Sequence, residues 1–159
     1  MGKVAFLFPG QGAQFVGMGK DVAEKYPEAK AIYERADQVL GFSLSKICFE
    51  GPEDRLTATD ISQPAILVTS LAVLAALRTT QAGKALKAEA AAGLSLGEYT
   101  ALVAAGAIGF DDAVRLTNLR GRYMQEACDA QPGGMVSLLG TDEAGAEMIC
   151  EAAREAGTI

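Results

Sequence analysis

Histidine is missing from all 159 residues, so the side chain that most readily takes up a proton near neutral pH is not available to chemistry performed by this chain alone. Cysteine is scarce. Cys48, Cys128 and Cys150 are odd in number, far apart and without a C-x-x-C pair, which signals neither a disulfide framework nor a zinc site and predicts reduced core thiols. Basic runs are absent too: 14 Lys and Arg are scattered among 20 Asp and Glu, for a net charge of -6. That balance argues against nucleic acid or anionic lipid as partner and for an acidic cytoplasmic protein. No uninterrupted apolar stretch approaches the about 18 residues that cross a bilayer. The run Val4 to Phe8 stops at Pro9 and is too short for a secretory segment. Phe6 stands where a myristoylation signal at Gly2 needs Ser or Thr. Repeats at solenoid periods and low-complexity tails are likewise missing.

What is present suffices for a core, since half of the residues are hydrophobic and a domain of this size buries roughly two-thirds of its unfolded surface. Val4 to Phe8, closed by Pro9-Gly10, predicts a buried strand followed by a Gly-rich loop, Gly10 to Gln14. A helical pattern runs from about Gly19 to Leu40, broken at Pro27 and stopped at Gly41. Asp60 or Ser62 offers an N-cap, and Pro64 is expected to open a long helix to about Thr80, with Leu67, Leu71, Leu74 and Leu77 at helical spacing. The small residues Ala88 to Ala92 favour helix by propensity. A G-x-S-x-G sequence follows at once, however, and its context requires a strand there.

Helices are predicted from about Leu96 to Ala105 and from Asp111 to Ala127, the latter capped by Asp111. Beyond a boundary at Pro132-Gly133-Gly134, Met135 to Leu139 reads as a strand, Gly140-Thr141-Asp142 as turn and cap, and 143 to 156 as a helix. Strands alternating with helices predict an α/β fold with a parallel sheet and flanking helices. The chain divides into 1–130 and 131–159, and the single βα unit of the second part cannot bury its apolar face alone.

Gly93-Leu94-Ser95-Leu96-Gly97 is the sequence on which chemistry centres. Between a strand and a helix, a turn this tight admits only glycine on either side of a strained serine. The hydroxyl is thrust out at the sheet's edge, and the next helix points N–H groups and partial positive charge toward it. The Leu96 N–H is then one donor to the oxyanion of an attacked carbonyl. Taken alone, the pattern is also compatible with a passenger serine in an ordinary turn. A second donor must come from a loop after another strand at the same edge, and Gly10-Gln11-Gly12 follows the first strand as required. That loop is no phosphate cradle: a dinucleotide fingerprint needs glycine where Phe15 stands, and a P-loop ending at Gly19-Lys20 needs glycine at Gln14 and Ser or Thr at Asp21.

On the helix from Asp111, Leu116, Leu119, Arg120, Tyr123, Met124 and Ala127 form one largely apolar stripe with Arg120 in its middle. An arginine on a buried face needs an anion, either a bound one or a structural carboxylate in an internal salt bridge. Arg122, about 200° further round the helix, is expected to face solvent.

The successive segments Phe8-Pro9-Gly10-Gln11-Gly12-Ala13-Gln14, Ser62-Gln63-Pro64-Ala65, Gly93 through Tyr99, and Arg120-Gly121 with Met124-Gln125 resemble the motifs of the malonyl-CoA:acyl carrier protein transacylase family, which includes the acyltransferase domains of fatty-acid and polyketide synthases. The resemblance runs from residue 3 to about 140. It implies a hydrolase-like α/β large domain, with a small ferredoxin-like domain inserted after the region of Gln131 to Gly134. It also implies a ping-pong reaction: a serine takes malonyl from coenzyme A and yields it to the phosphopantetheine thiol of acyl carrier protein, with no cofactor and no metal.

By the same resemblance Ser95 is the nucleophile, Gln11 and Leu96 supply backbone oxyanion donors, Arg120 binds the malonyl carboxylate and Gln63 lines the pocket. A guanidinium gripping a carboxylate in two bonds selects malonyl over acetyl, because acetyl leaves the charge unpaired. Two departures stand out. Leu94 occupies a position where the family usually has histidine, and the family's catalytic histidine belongs to a second half that this sequence does not include. The isolated chain is therefore expected to turn over poorly, and exposed apolar surface predicts self-association or a complementary partner chain. A serine esterase or thioesterase-type hydrolase would share the turn around Ser95 but has no use for Arg120. A non-catalytic remnant that binds the carrier protein would need neither.

Overall fold

A computed structural model describes residues 3–131, 136 and 138–156. The chain forms two compact units, Met1–Asp129 and Ala130–Ile159. In order, the elements are β1 (Val4–Phe8), α1 (Lys20–Lys25), α2 (Pro27–Leu40), α3 (Leu44–Glu50), α4 (Glu53–Thr57), α5 (Thr59–Thr79), α6 (Gln81–Ala85), β2 (Ala88–Gly93), α7 (Gly97–Ala104), α8 (Phe110–Ala130) and α9 (Glu143–Glu155). The architecture is α/β and rich in helix.

β1 and β2 pair in parallel, with Phe8 opposite Gly93 where both strands end. The alanines of β2 are good helix formers. They adopt a strand here because β1 offers a ladder of backbone partners and because small side chains let α7 lie close against the sheet. Both strands finish at the same edge, so the Pro9-Gly10 loop and the turn at Ser95 emerge side by side. This is the edge at which open parallel sheets bind ligands.

α5 is the central helix. Ile61, Ala65, Leu67, Val68 and Ala72 are fully buried, and α2 packs along it through Tyr33, whose hydroxyl bonds Thr69 Oγ1 at 2.8 Å. By length and composition α5 could cross a bilayer, but 67% of its most apolar window is buried inside the protein. Its burial marks it as a core helix. Its start differs from expectation: the helix begins at Thr59, and Pro64 sits inside it. Neither Asp60 nor Ser62 is the N-cap, which is Ala58. The Asp60 carboxylate instead meets Arg55 in two bonds of 3.1 Å.

α8 corrects two further expectations. Asp111 lies inside the helix, and its carboxylate pairs with Arg35 on α2. The buried face consists of Ala113, Val114, Thr117 and Gly121, whereas Leu116, Leu119 and Tyr123 of the apolar stripe are exposed. A helix approaching a neighbour closely is served by small residues on that side. Cys48 is buried as expected, but Cys128 and Cys150 are exposed, because α8 near its end and α9 bury nothing around them.

In the second unit α9 is amphipathic and capped by Asp142, whose carboxylate accepts from the Gly145 N–H at 2.9 Å. Of the strand expected over 135 to 139, Met135 and Ser137 lie outside the described residues, as does the boundary at Pro132-Gly133-Gly134. Val136, Leu138 and Leu139 belong to no strand.

Candidate active site

The turn from β2 into α7 carries Ser95 at φ 54°, and Ser95 is the sole residue other than glycine with positive φ among the described residues. Such a conformation costs an L-residue about 1–2 kcal/mol and persists only where its surroundings enforce it. Enforcement comes from both flanking glycines. A Cβ on Gly93 would lie 2.0 Å from the Gly97 carbonyl carbon, and a Cβ on Gly97 would lie 2.5 Å from the Phe8 carbonyl oxygen and 2.8 Å from that of Pro9. The turn is thus clamped against the end of β1, to which the Leu94 N–H also donates at 3.3 Å through the Phe8 carbonyl.

Backbone donors gather at the same place. The first hydrogen bonds of α7 run from Gly97, Glu98 and Tyr99 N–H to the carbonyls of Leu94, Ser95 and Leu96, at 2.9, 3.2 and 3.0 Å. The Leu96 N–H stands outside that ladder, at the positive end of the helix. Gly10, in the loop after β1, comes close to the turn from the other side: a Cβ there would meet the Leu94 carbonyl oxygen at 2.7 Å. Gln11 is the next residue and is exposed. The Gln11 loop and the Ser95 turn are therefore neighbours on one face of the sheet edge.

Arg120 reaches the serine from α8. Its Nη2 donates to Ser95 Oγ at 2.9 Å and its Nη1 to Gln63 Oε1 at 2.6 Å. The guanidinium also lies over the Tyr99 ring, 5.9 Å from its centroid. Gln63 is fully buried, and its Nε2 points at Met124 Sδ across 3.1 Å. No Asp or Glu among the described residues forms an ion pair with Arg120. Its charge is offset only by neutral acceptors and an aromatic face, so the internal salt bridge that sequence alone left open is not made here. Arg122 faces solvent as expected.

Five of the residues named from sequence thus converge or adjoin: Ser95, Arg120 and Gln63 in direct hydrogen bonds, Leu96 in the turn itself and Gln11 in the abutting loop. Tyr99 ends the Gly93–Tyr99 segment one helical turn after Ser95, and that spacing is the sequence signal for its place beside Arg120. The exposed stripe of α8 and Tyr99 line a groove of about 430 Å³ that opens beside Arg120. Among the described residues no group of three or more Cys, Asp or Glu is placed to hold a metal ion. A hydroxyl at a helix N-terminus, backbone N–H groups beside it and an unpaired guanidinium within bonding distance suit attack on an acyl carbonyl whose far end is anionic.

Residues 5–153 match the family model described as acyl transferase domain. The chain is similar to the malonyl CoA-acyl carrier protein transacylase of Bacillus subtilis (strain 168), 45% identical over 159 residues, which are all of this chain and 49% of the relative. The crystal structure of a malonyl CoA-acyl carrier protein transacylase from Clostridium perfringens superposes with a TM-score of 0.86 at 42% identity, covering 96% of this chain and 47% of that one. A malonyl-transacylase solved in complex with its type II PKS acyl-carrier protein gives a TM-score of 0.72 at 43% identity, over 79% of this chain and 40% of that one. The chain spans about half the length of the curated relatives it matches.

Proposed function

The chain belongs to the acyl transferase domain family, and from that premise we propose that it carries the nucleophile half of a malonyl-CoA:acyl carrier protein transacylase acting in fatty-acid or polyketide synthesis in the cytoplasm. The observation that carries this reading is the 2.9 Å contact between Arg120 Nη2 and Ser95 Oγ. Malonyl esterified to Ser95 places its carboxylate two bonds beyond the acyl carbonyl, within reach of a guanidinium that already touches the ester oxygen's position.

In the first half-reaction Ser95 Oγ attacks the thioester carbonyl and loses its proton. The oxyanion forms between the N–H groups of Leu96 and Gln11. Collapse breaks the C–S bond, and coenzyme A leaves as a thiol after taking up a proton. In the second half the phosphopantetheine thiol of the carrier protein attacks the ester, and Ser95 recovers its proton. Arg120 holds the malonyl carboxylate throughout, and Gln63 holds Arg120. No cofactor enters either step.

The proton on Ser95 needs a base. No histidine occurs in this sequence, and we assign that role to the part of the relatives' length that this chain does not span. Residues 131–159 are read as the start of the small ferredoxin-like domain. The exposure of Leu7 and Val73 beside the sheet supports self-association or a complementary chain covering that face.

The discriminating experiment starts from protein bearing malonyl on Ser95 and adds carrier protein with a free phosphopantetheine thiol. Transfer to the carrier well ahead of release as free malonate is the expected result. Release to water at the same rate would make the protein a hydrolase instead.

A further inference from the structure

Arg120 is bracketed on α8 by two contacts with the first turn of α5, one of which originates in Pro64. Proline inside a helix has no N–H, so the carbonyl four residues earlier loses its helical donor, and the ring pushes that carbonyl outward. Here that carbonyl belongs to Asp60. Asn118, two residues before Arg120, donates to it through Nδ2 at 2.8 Å. A donor from across the helix interface therefore fills the gap that proline leaves.

The second contact lies one residue past Arg120. A Cβ on Gly121 would meet the Thr59 carbonyl oxygen at 2.3 Å and Asp60 Cα at 2.8 Å, so the two backbones touch at the same turn of α5. Asp60 is in turn anchored by its carboxylate to Arg55. Gln63, on the turn that Pro64 belongs to, accepts from Arg120 Nη1. Rotation and rise of α8 against α5 are thus fixed on both sides of Arg120.

We propose that Asn118 is a positioning residue: its hydrogen bond to the Asp60 carbonyl, left open by Pro64, sets the register in which the Arg120 guanidinium meets Ser95 Oγ. Its consequence for acyl selection rests on the carboxylate-binding reading of Arg120, whereas the coupling of residues 118, 64 and 120 does not. Leucine or aspartate at 118 cannot donate. Alanine at 64 restores a backbone N–H that satisfies Asp60 from within its own helix, so the need for Asn118 disappears.

The test compares the wild-type chain, Asn118→Leu, Pro64→Ala and the double variant. The readout is the rate at which phenylglyoxal modifies Arg120, followed by peptide mass spectrometry, with exposed Arg122 as internal reference. Asn118→Leu should speed modification of Arg120 by about fivefold, the worth of one hydrogen bond, leave Arg122 unchanged, and be reversed by Pro64→Ala. The proposal is overturned if Arg120 keeps its rate, if Arg120 and Arg122 accelerate together, or if Pro64→Ala gives no rescue. Should Asn118→Leu fail to fold, Asn118→Asp, equal in shape and without the donor, takes its place under the same criteria. A parallel measurement of Ser95 acylation by malonyl-CoA and acetyl-CoA should show the malonyl preference falling in Asn118→Leu and returning in the double variant. Absence of acyl-Ser95 from all four chains would contradict the transacylase reading alone, and Arg120 reactivity would still decide the role of Asn118.

Discussion

Arg120 donates through Nη2 to the hydroxyl oxygen of Ser95 at 2.9 Å, from a helix that begins fifteen residues after the serine's turn. The contact joins a strained serine to a cation that lacks a carboxylate partner among the described residues. Its expected consequence is selectivity between acyl groups. Arg120→Ala should lower acylation by malonyl-CoA by about 2 kcal/mol more than acylation by acetyl-CoA, a factor of roughly thirty, as for losing a hydrogen bond to a charged group. Arg120→Lys should fall between, because a lysine keeps the charge and loses the planar fork. Equal losses for both acyl groups would make Arg120 structural.

Strain at Ser95 predicts an inverted order of stabilities. At φ 54° glycine is unstrained and alanine is not, so Ser95→Gly should be more stable than Ser95→Ala by about 1 kcal/mol, even though glycine loses more entropy on folding. Denaturant midpoints of the two variants provide the measurement. Ser95→Ala being the more stable would mean the turn is relaxed.

The clamp on that turn predicts a cost at Gly97. Its Cβ would lie 2.5 Å from a backbone oxygen of β1, and backbone yields less easily than a side chain. Gly97→Ala should lose about 2–3 kcal/mol of stability, and Ser95 acylation should fall with it. A drop under about 0.5 kcal/mol, typical of a surface site, would show that the sheet edge gives way freely.

Thiol chemistry separates the three cysteines. Burial, with a smaller contribution from the charge of Asp37, pushes the Cys48 thiol up from 9.0 to about 12. The folded state therefore holds that proton more tightly than the unfolded state, and the associated stability is complete below the unfolded value and lost as pH rises toward 12. Burial raises the Tyr33 phenol in the same direction. At pH 8 a disulfide reagent should label Cys128 and Cys150 rapidly and Cys48 only on unfolding. Cys48→Ala should flatten part of the alkaline decline in thermal midpoint, leaving the part due to Tyr33. Rapid labelling of all three thiols would contradict the burial of Cys48.

The strand Val4–Phe8, the strand-turn-helix at Ser95 and the approach of the Gly10 loop were legible because each depends on local chemistry: an apolar run, glycines with no room for a Cβ, and a motif requiring its context. β2 needed that motif, since its alanines by themselves favour helix. Three features were not legible. Pro64 reads as a first helical residue because nothing nearby announces that Asn118, far along the chain, will satisfy the carbonyl it strands. On α8 the large apolar residues signal burial most strongly, yet Ala113, Val114, Thr117 and Gly121 take the interior, with Gly121 backed directly against the Thr59 carbonyl of α5. Leu116, Leu119 and Tyr123 instead face the groove beside Arg120. The exposure of Cys128 and Cys150 follows from which helix faces lack partners, a tertiary property that composition does not carry.

The central claim is that Ser95 accepts malonyl while Arg120 holds its carboxylate, and intact-protein and peptide mass spectrometry after incubation with malonyl-CoA tests it most directly. Without a histidine, the oxyanion donors and binding leave an acceleration of about a thousandfold over water, so acylation of the isolated chain should be far slower than a working turnover. The predicted result is one malonyl group per chain, on the peptide containing Ser95, absent from Ser95→Ala and formed more slowly from acetyl-CoA. Malonyl on another residue, or equal labelling of wild type and Ser95→Ala, would contradict the assignment of the nucleophile. Turnover to carrier protein at several per second by this chain alone would contradict the claim that its base lies elsewhere.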